Sequence, residues 1–311
     1  MGDEPLVISV VICTHNRSDS LDRALHSLSR VSVPDGTAWE IVVVDNASSD
    51  ATRDVVERHV HTDLPVAYEF EERTGLSHAR NTGVARSSGE IVAFLDDDVS
   101  VRADWLEELD RAFHERDASC VGGRALLRTD VPRPGWWRKE YDGKAGHFDR
   151  GDEELSSRSS EDGLVGIGAN LAFRRDVFER HGLFRTELGR KGARLSTGEE
   201  VDLMNRVRRN GELALYWPDL VVYHHPHPSR FTKSYLRRWY EGYGAWDYDR
   251  RREDLREVPR ILGIPRWKYR TAGRDLLRLL RGLVVGRSDE AFYAELRLRS
   301  FAGYVKAARR R

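Results

Sequence analysis

Apolar, β-branched runs alternate with stretches of helical period from the beginning of the chain. The runs span Val7 to Cys13, Ile41 to Val44, Val66 to Glu71, Ile91 to Leu95 and Ser119 to Arg124. Between them, apolar residues recur at helical spacing near Ser18 to Arg30, Asp50 to Val60, Leu76 to Arg86 and Ala103 to Arg116. Near-continuous apolar strands separated by helices predict an α/β fold, a mainly parallel central sheet covered by helices on both faces. In such sheets ligands collect at the carboxyl ends of the strands, near the point where strand order reverses. The polar residues just after each strand are therefore the first candidates for chemistry.

The rhythm breaks at residues 128–163, where Pro132, Pro134, Gly135, Gly143, Gly146 and a Ser-rich charged stretch predict a long irregular segment, functional or mobile. A strand-like piece at Leu164 to Arg174, a helix near Glu199 to Arg209 and strand-like pieces at Leu213 to Tyr216 and Leu220 to Tyr223 follow, and the remainder is helical. This pattern divides the chain into a body over 1–230, with halves 1–125 and 126–230, and a helical extension over 231–311. No internal repeat or long low-complexity tract appears.

Composition alone, 40% hydrophobic and 33% charged, describes an ordinary soluble protein. Charge adds more, because a net charge of zero hides a division: residues 231–311 hold 21 Lys and Arg against 10 Asp and Glu, which leaves the body acidic. An acidic body suits cation binding, and a basic extension suits an anionic surface or partner. No run approaches the ~18 consecutive apolar residues of a membrane span, and no charged-then-apolar leader opens the chain, so a cytoplasmic location is expected. Cys13 and Cys120 lie in apolar strand-like runs and read as core thiols rather than a disulfide framework.

The sharpest chemical signal is the apolar run from Ile91 that ends in Asp96, Asp97 and Asp98. On an extended backbone Asp96 and Asp98 project to one side and Asp97 to the other, so two acids form a site for a hard cation such as Mg²⁺ or Mn²⁺. The competing reading is a solvated acidic turn before the next helix. Upstream, THNR at 14–17 and DNASSD at 45–50 also follow strands; Asp45 reads as facing a nucleobase or ribose, Arg17 and Arg80 as meeting phosphates, and Asp50 as a helix cap. GLSHARNTG at 75–83 opens a helix through a glycine, either an anion site for a diphosphate or only a turn.

Farther along, STGEEVDL at 196–203 offers Glu199 and Glu200 as a general base, or capping boxes through Ser196 with Glu199 and Thr197 with Glu200. His224, His225 and His227 follow a strand-like run, and the reading is one histidine on the site and two structural. Trp136 and Trp137 either stack on a sugar ring or anchor their loop.

Five segments occur in order: SVVICTHNR, VVVDNASSD, GLSHARNTGVARSSGEIVAFLDDD, GIGANLAFRR and GEEVDL, with a late histidine in VVYHHP. Together, over residues 7–250, they resemble the family 2 glycosyltransferases, enzymes of the GT-A fold. The resemblance implies that Thr14, Asn16 and Arg17 form the first nucleotide-binding loop, that Asp45 holds the base, and that Arg80 faces nucleotide and phosphate. It implies a D-x-D element at Asp96 to Asp98, with Asp98 the direct metal ligand, Asp96 closer to the ribose and His224 completing the metal site. Gly168, Ala169 and Asn170 resemble the sugar- or acceptor-facing segment. One departure stands out: many relatives carry Glu-Asp where this chain has Glu199 and Glu200, so the base is Glu200 or moves to Glu199.

The implied reaction is an inverting, metal-assisted transfer from a nucleoside-diphosphate sugar, UDP-linked by the commonest behaviour of relatives. The acceptor would be a carbohydrate, lipid-linked or small-molecule hydroxyl. A sugar-phosphate nucleotidyltransferase is the enzymatic rival, opposed by the absence of glycines in SVVICTHNR; a non-catalytic nucleotide-sugar-binding module is the other. In the extension, Leu276, Leu277, Leu280 and Leu283 recur at helical spacing with Arg274, Arg278 and Arg281 between them. That helix packs on the body or on a second subunit of a homodimer, or lies peripherally on anionic lipid at the inner face of the membrane. No nucleic-acid-binding motif is present.

Overall fold

The computed structural model describes residues 7–157, 163–190, 198–251 and 258–310. The chain divides into two compact units. The first lies within 1–130, 145–192 and 199–226, and the second within 131–144, 193–198 and 227–311. The sequence boundary at 230 thus falls at Pro226, and residues 131–144 of the irregular segment belong to the second unit.

In the first unit the described strands are β1 (Val7–Thr14), β2 (Ala38–Asp45), β3 (Val66–Phe70), β4 (Ile91–Asp96), β5 (Val99–Val101), β6 (Cys120–Leu127), β7 (Leu155–Ser156), β8 (Asn170–Arg174) and β9 (Ala214–His224). The helices are α1 (Ser18–Leu28), α2 (Thr52–Val60), α3 (Leu76–Arg86), α4 (Trp105–Glu115), α6 (Asp176–His181) and α7 (Glu199–Arg209); the one-turn α5 (Asp142–Ala145) has all but its last residue in the second unit. The strands form one sheet in the order β3-β2-β1-β4-β8-β6-β9-β5, with β7 beside β9. β1 pairs in parallel with β2 on one side and β4 on the other, so strand order reverses at β1, and the carboxyl ends of β1 and β4 are where such a sheet takes its ligand.

Alternation along the strands feeds a core on each face. Ile8, Val10 and Ile12 of β1 pack with Leu21, Leu25 and Leu28 of α1, Val55 of α2, and Trp105, Leu109 and Phe113 of α4. Val11, Val42, Val44 and Phe94 point to the opposite face, against Ala79 of α3, Val177 of α6, and Leu203 and Val207 of α7. The expected strand at 164–174 is regular only over β8, which runs antiparallel to β4. The two expected pieces at 213–223 are one strand, β9, that passes through Pro218; the β6–β9 register shifts between Gly122 and Arg124, where a residue without an N–H is tolerated.

The second unit contains α8 (Lys233–Arg251), the hairpin of β10 (Arg260–Ile261) and β11 (Ile264–Pro265), α9 (Arg266–Val284) and α10 (Ser288–Arg309). Gly244 of α8 faces the Ser300 carbonyl and Gly303 of α10 faces that of Glu241; a Cβ would stand 1.8 and 2.0 Å from these oxygens, so glycine lets the two backbones meet. Tyr141, Tyr235, Leu236, Phe292 and Leu296 form this unit's core. Among the described residues no helix is long and apolar enough to cross a membrane.

Candidate active site

Parallel register sets the strand ends side by side, Thr14 opposite Asp45 and Cys13 opposite Asp96. Three polar loops therefore meet at these strand ends. The Thr14 hydroxyl donates to Asp97 Oδ2 at 2.8 Å, and Arg17 Nη1 donates to Asp97 Oδ1 at 3.1 Å and Asp98 Oδ2 at 2.7 Å. Burial, followed by the charge of Asp98, pushes the Asp97 carboxyl up to about 7 against the opposing pull of Arg17 and Thr14.

Strand geometry ends at Asp96, and Asp97 and Asp98 form the turn into β5. The expected strict alternation of the three acids does not extend past Asp96; the turn orients the last two. β5 then pairs antiparallel with β9, Val99 opposite His224, and the His225 N–H donates to the Asp98 carbonyl at 2.8 Å. This pairing brings His224 Nε2 to 3.1 Å from Asp98 Oδ1. One donor atom from each of Asp96, Asp98 and His224 lies within 4.8 Å of the others, which makes the three a candidate metal-holding group.

A second acidic centre sits at the start of α7. Buried Arg80, from α3, donates through Nη1 to Glu199 Oε1 at 2.7 Å, and its Nη2 lies 3.7 Å from Asp96 Oδ1. One guanidinium thus touches both centres. Gly168 makes room for it, since a Cβ there would stand 2.0 Å from Nη2. The guanidinium expected to meet phosphate pairs with these carboxylates. Glu200 keeps Oε2 buried with no hydrogen-bond partner among the described residues. Burial, then the neighbouring charge of Glu199, raises its carboxyl to about 8 despite Arg80. Ser196 and Thr197, and with them the proposed capping boxes, lie outside the described residues.

Several expected ligand-facing groups are occupied within the chain. Asp45 accepts from the Ser48 N–H and the Tyr68 hydroxyl, both at 2.8 Å. Asn16, at φ 52°, accepts from the Ser49 N–H and ties the first two loops together. Asp50 does act at helix starts, accepting from the N–H of Thr52 and also from that of Ser18. The start of α3 is closed: Leu76 N–H donates to the Arg190 carbonyl and Gly75 N–H to Asn46 Oδ1, so it is not the open anion site considered for 75–83.

Asn170 is fully buried, its amide donating to the Arg124 and Leu220 carbonyls and accepting from Trp105 Nε1. It braces the sheet rather than facing a sugar, and Ala169 is buried in the core beside it. Trp136 and Trp137 belong to the second unit, where they pack around Tyr141 and Trp137 Nε1 donates to Asp142. His225 bonds the Ser100 hydroxyl and His227 accepts from the Ser229 N–H. The Cys13 thiol is pushed up to about 12 by burial and stays protonated. Sequence reasoning passed over Asn46, whose amide donates to the Glu71 and Arg73 carbonyls; its only signal was its place directly after Asp45.

The profile of glycosyl transferase family 2 matches residues 9–182. The chain belongs to this family. The glycosyltransferase is 28% identical over 243 residues to the glucosyl-dolichyl phosphate glucuronosyltransferase of Haloferax volcanii, covering 76% of this chain and 75% of that one. It is 29% identical over 242 residues to the succinoglycan biosynthesis protein ExoM of Rhizobium meliloti, covering 76% and 73%. Among solved structures it resembles the mannosyltransferase PcManGT of Pyrobaculum calidifontis, in complex with GDP-Man and Mn²⁺, at a TM-score of 0.57 and 21% identity over 99% of this chain and 76% of that one. At that identity the likeness speaks for the GT-A fold of the family 2 enzyme and not for its substrate.

Proposed function

We propose that the chain transfers a sugar, with inversion, from a nucleoside-diphosphate donor to an acceptor hydroxyl, at the carboxyl ends of β1 and β4. The observation that carries this reading is the meeting of Asp96 and Asp98 with His224, more than a hundred residues farther along the chain, within 4.8 Å. Two carboxylates and an imidazole fit a divalent cation, and the nitrogen donor favours Mn²⁺ over the oxygen-seeking Mg²⁺. Held by these three side chains, the cation would neutralise the charge that grows on the departing diphosphate.

The chain's own groups supply the rest. The Thr14 to Arg17 loop holds the nucleotide, with Arg17 available to a phosphate oxygen when it leaves Asp97 and Asp98. Arg80 fixes Glu199 as a charge-balanced support, so the proton of the acceptor hydroxyl goes to Glu200. A carboxyl raised to about 8 is a stronger base than an ordinary glutamate once ionised. The Haloferax volcanii and Rhizobium meliloti relatives support a lipid-linked or carbohydrate acceptor.

A donor screen tests the reading. Nucleoside diphosphate release is measured with UDP- and GDP-linked sugars, with Mn²⁺ and with chelator. A UDP-sugar turned over only with the cation is expected. Turnover that ignores chelation, or pyrophosphate release from a nucleoside triphosphate and a sugar phosphate, would replace the proposal.

A further inference from the structure

Over its second half α9 packs on its unit through one side. Asp275 is buried and bonds Arg297 of α10 at 2.9 Å, and Gly282 faces Ala291 of α10, where a Cβ would stand 3.0 Å from the Ala291 Cβ. The opposite side carries apolar residues into solvent: Leu277 is 68% exposed, Leu280 51%, Leu283 63% and Val284 86%. At 100° per residue, Leu276, Leu280, Leu283, Leu277 and Val284 form one stripe. Nearer the start of the helix Tyr269 is not part of this free stripe: its ring packs on Phe301 of α10 at 5.5 Å, and its hydroxyl donates to the Ile261 carbonyl of the β10–β11 hairpin. Leu262, at the turn of that hairpin, is 83% exposed.

A basic ridge adjoins the stripe. Arg266, Arg270, Arg274 and Arg281 are exposed and have no carboxylate partner among the described residues, because the only acid of α9, Asp275, is spent on Arg278 and Arg297. Trp267, also exposed, lies beyond the ridge.

We propose that this face of α9 docks on an anionic lipid surface. The leucines and valine enter the interface, the arginines meet lipid phosphates, and a helix of about 28 Å lies in the membrane plane without crossing it. Charge selects the occupant. A second copy laid on the same face would set one arginine ridge against another, whereas anionic headgroups satisfy both the ridge and the stripe. The inference concerns where the protein works and does not depend on the chemistry at β1 and β4.

The test is co-sedimentation of the full-length chain with vesicles of phosphatidylcholine alone or with 30% phosphatidylglycerol. The wild type should bind the anionic vesicles at least tenfold more strongly and lose most of that binding in 0.5 M salt. Leu277→Ser with Leu280→Ser and Val284→Ser should lower binding at least tenfold, and Arg270→Glu with Arg274→Glu and Arg281→Glu should remove the anionic preference. Thermal melting checks that both variants remain folded; these side chains are already in water, so no loss is expected. Equal binding to neutral and anionic vesicles, no binding to either, or a solution dimer that the leucine variant dissociates would overturn the proposal.

Discussion

Two acidic centres of the first unit, one at the end of β4 and one at the start of α7, are built from the same functional group yet have opposite character. Asp98 is met by Arg17 and His224, and its neighbour Asp97 by Arg17 and Thr14, so charge there is shared among several partners. At α7 the partners are unequal: Glu199 holds the Arg80 guanidinium, while Glu200 sits beside a like charge; each keeps a buried Oε2 with no hydrogen-bond partner among the described residues. The contrast teaches that the partner, not the carboxylate, assigns the task. A cluster in which acids converge with an imidazole suits a cation, and a carboxyl whose charge is opposed suits proton transfer.

Removing Asp98 takes away a cation ligand, so Asp98→Ala should lower transfer by more than about 10³-fold in Mn²⁺-dependent steady-state assays. Arg80→Met should destabilise the fold by about 3 to 5 kcal/mol in urea denaturation, because Glu199 is left as an uncompensated buried charge; adding Glu199→Gln should recover a substantial part. Glu200→Gln should slow transfer by about 10²-fold, and the wild-type rise in kcat through about pH 8 should vanish from the variant.

The smallest effect is on stability. The fold favours the protonated form of Glu200, so stability declines as pH rises from the ordinary glutamate value of 4.5 through about 8. Glutamine mimics the protonated form at every pH. Glu200→Gln should therefore melt roughly 2 to 4 °C above the wild type at pH 9, the shift expected from about 1 kcal/mol, and at the same temperature near pH 4.

Local pattern exposed most of the first unit. α3 and α7 start and stop where apolar spacing places them, and β1 to β4 differ from the expected runs only at their ends. Asp96 and Asp98 were legible because an apolar strand leads directly into them. What pattern could not convey was the direction of a polar side chain at a strand end: Asp45 and Asp96 occupy equivalent positions in the sequence grammar, but Tyr68 donates to one and Arg80 approaches the other. Partners distant in sequence were also hidden. Arg80 and Glu199 stand 119 residues apart, and only the packing of α3 and α7 on one sheet face joins them. His224 reaches Asp98 through the three-residue strand β5, too short to register as a periodic segment.

The separability of the two centres is tested most directly by Mn²⁺ titration of the wild type, Glu200→Gln and Asp98→Ala, followed by the paramagnetic resonance of the free ion. Glu200→Gln should bind Mn²⁺ as the wild type does while failing to transfer sugar, and Asp98→Ala should lose both. Wild-type affinity in Asp98→Ala, or lost affinity in Glu200→Gln, would contradict the division of labour between β4 and α7.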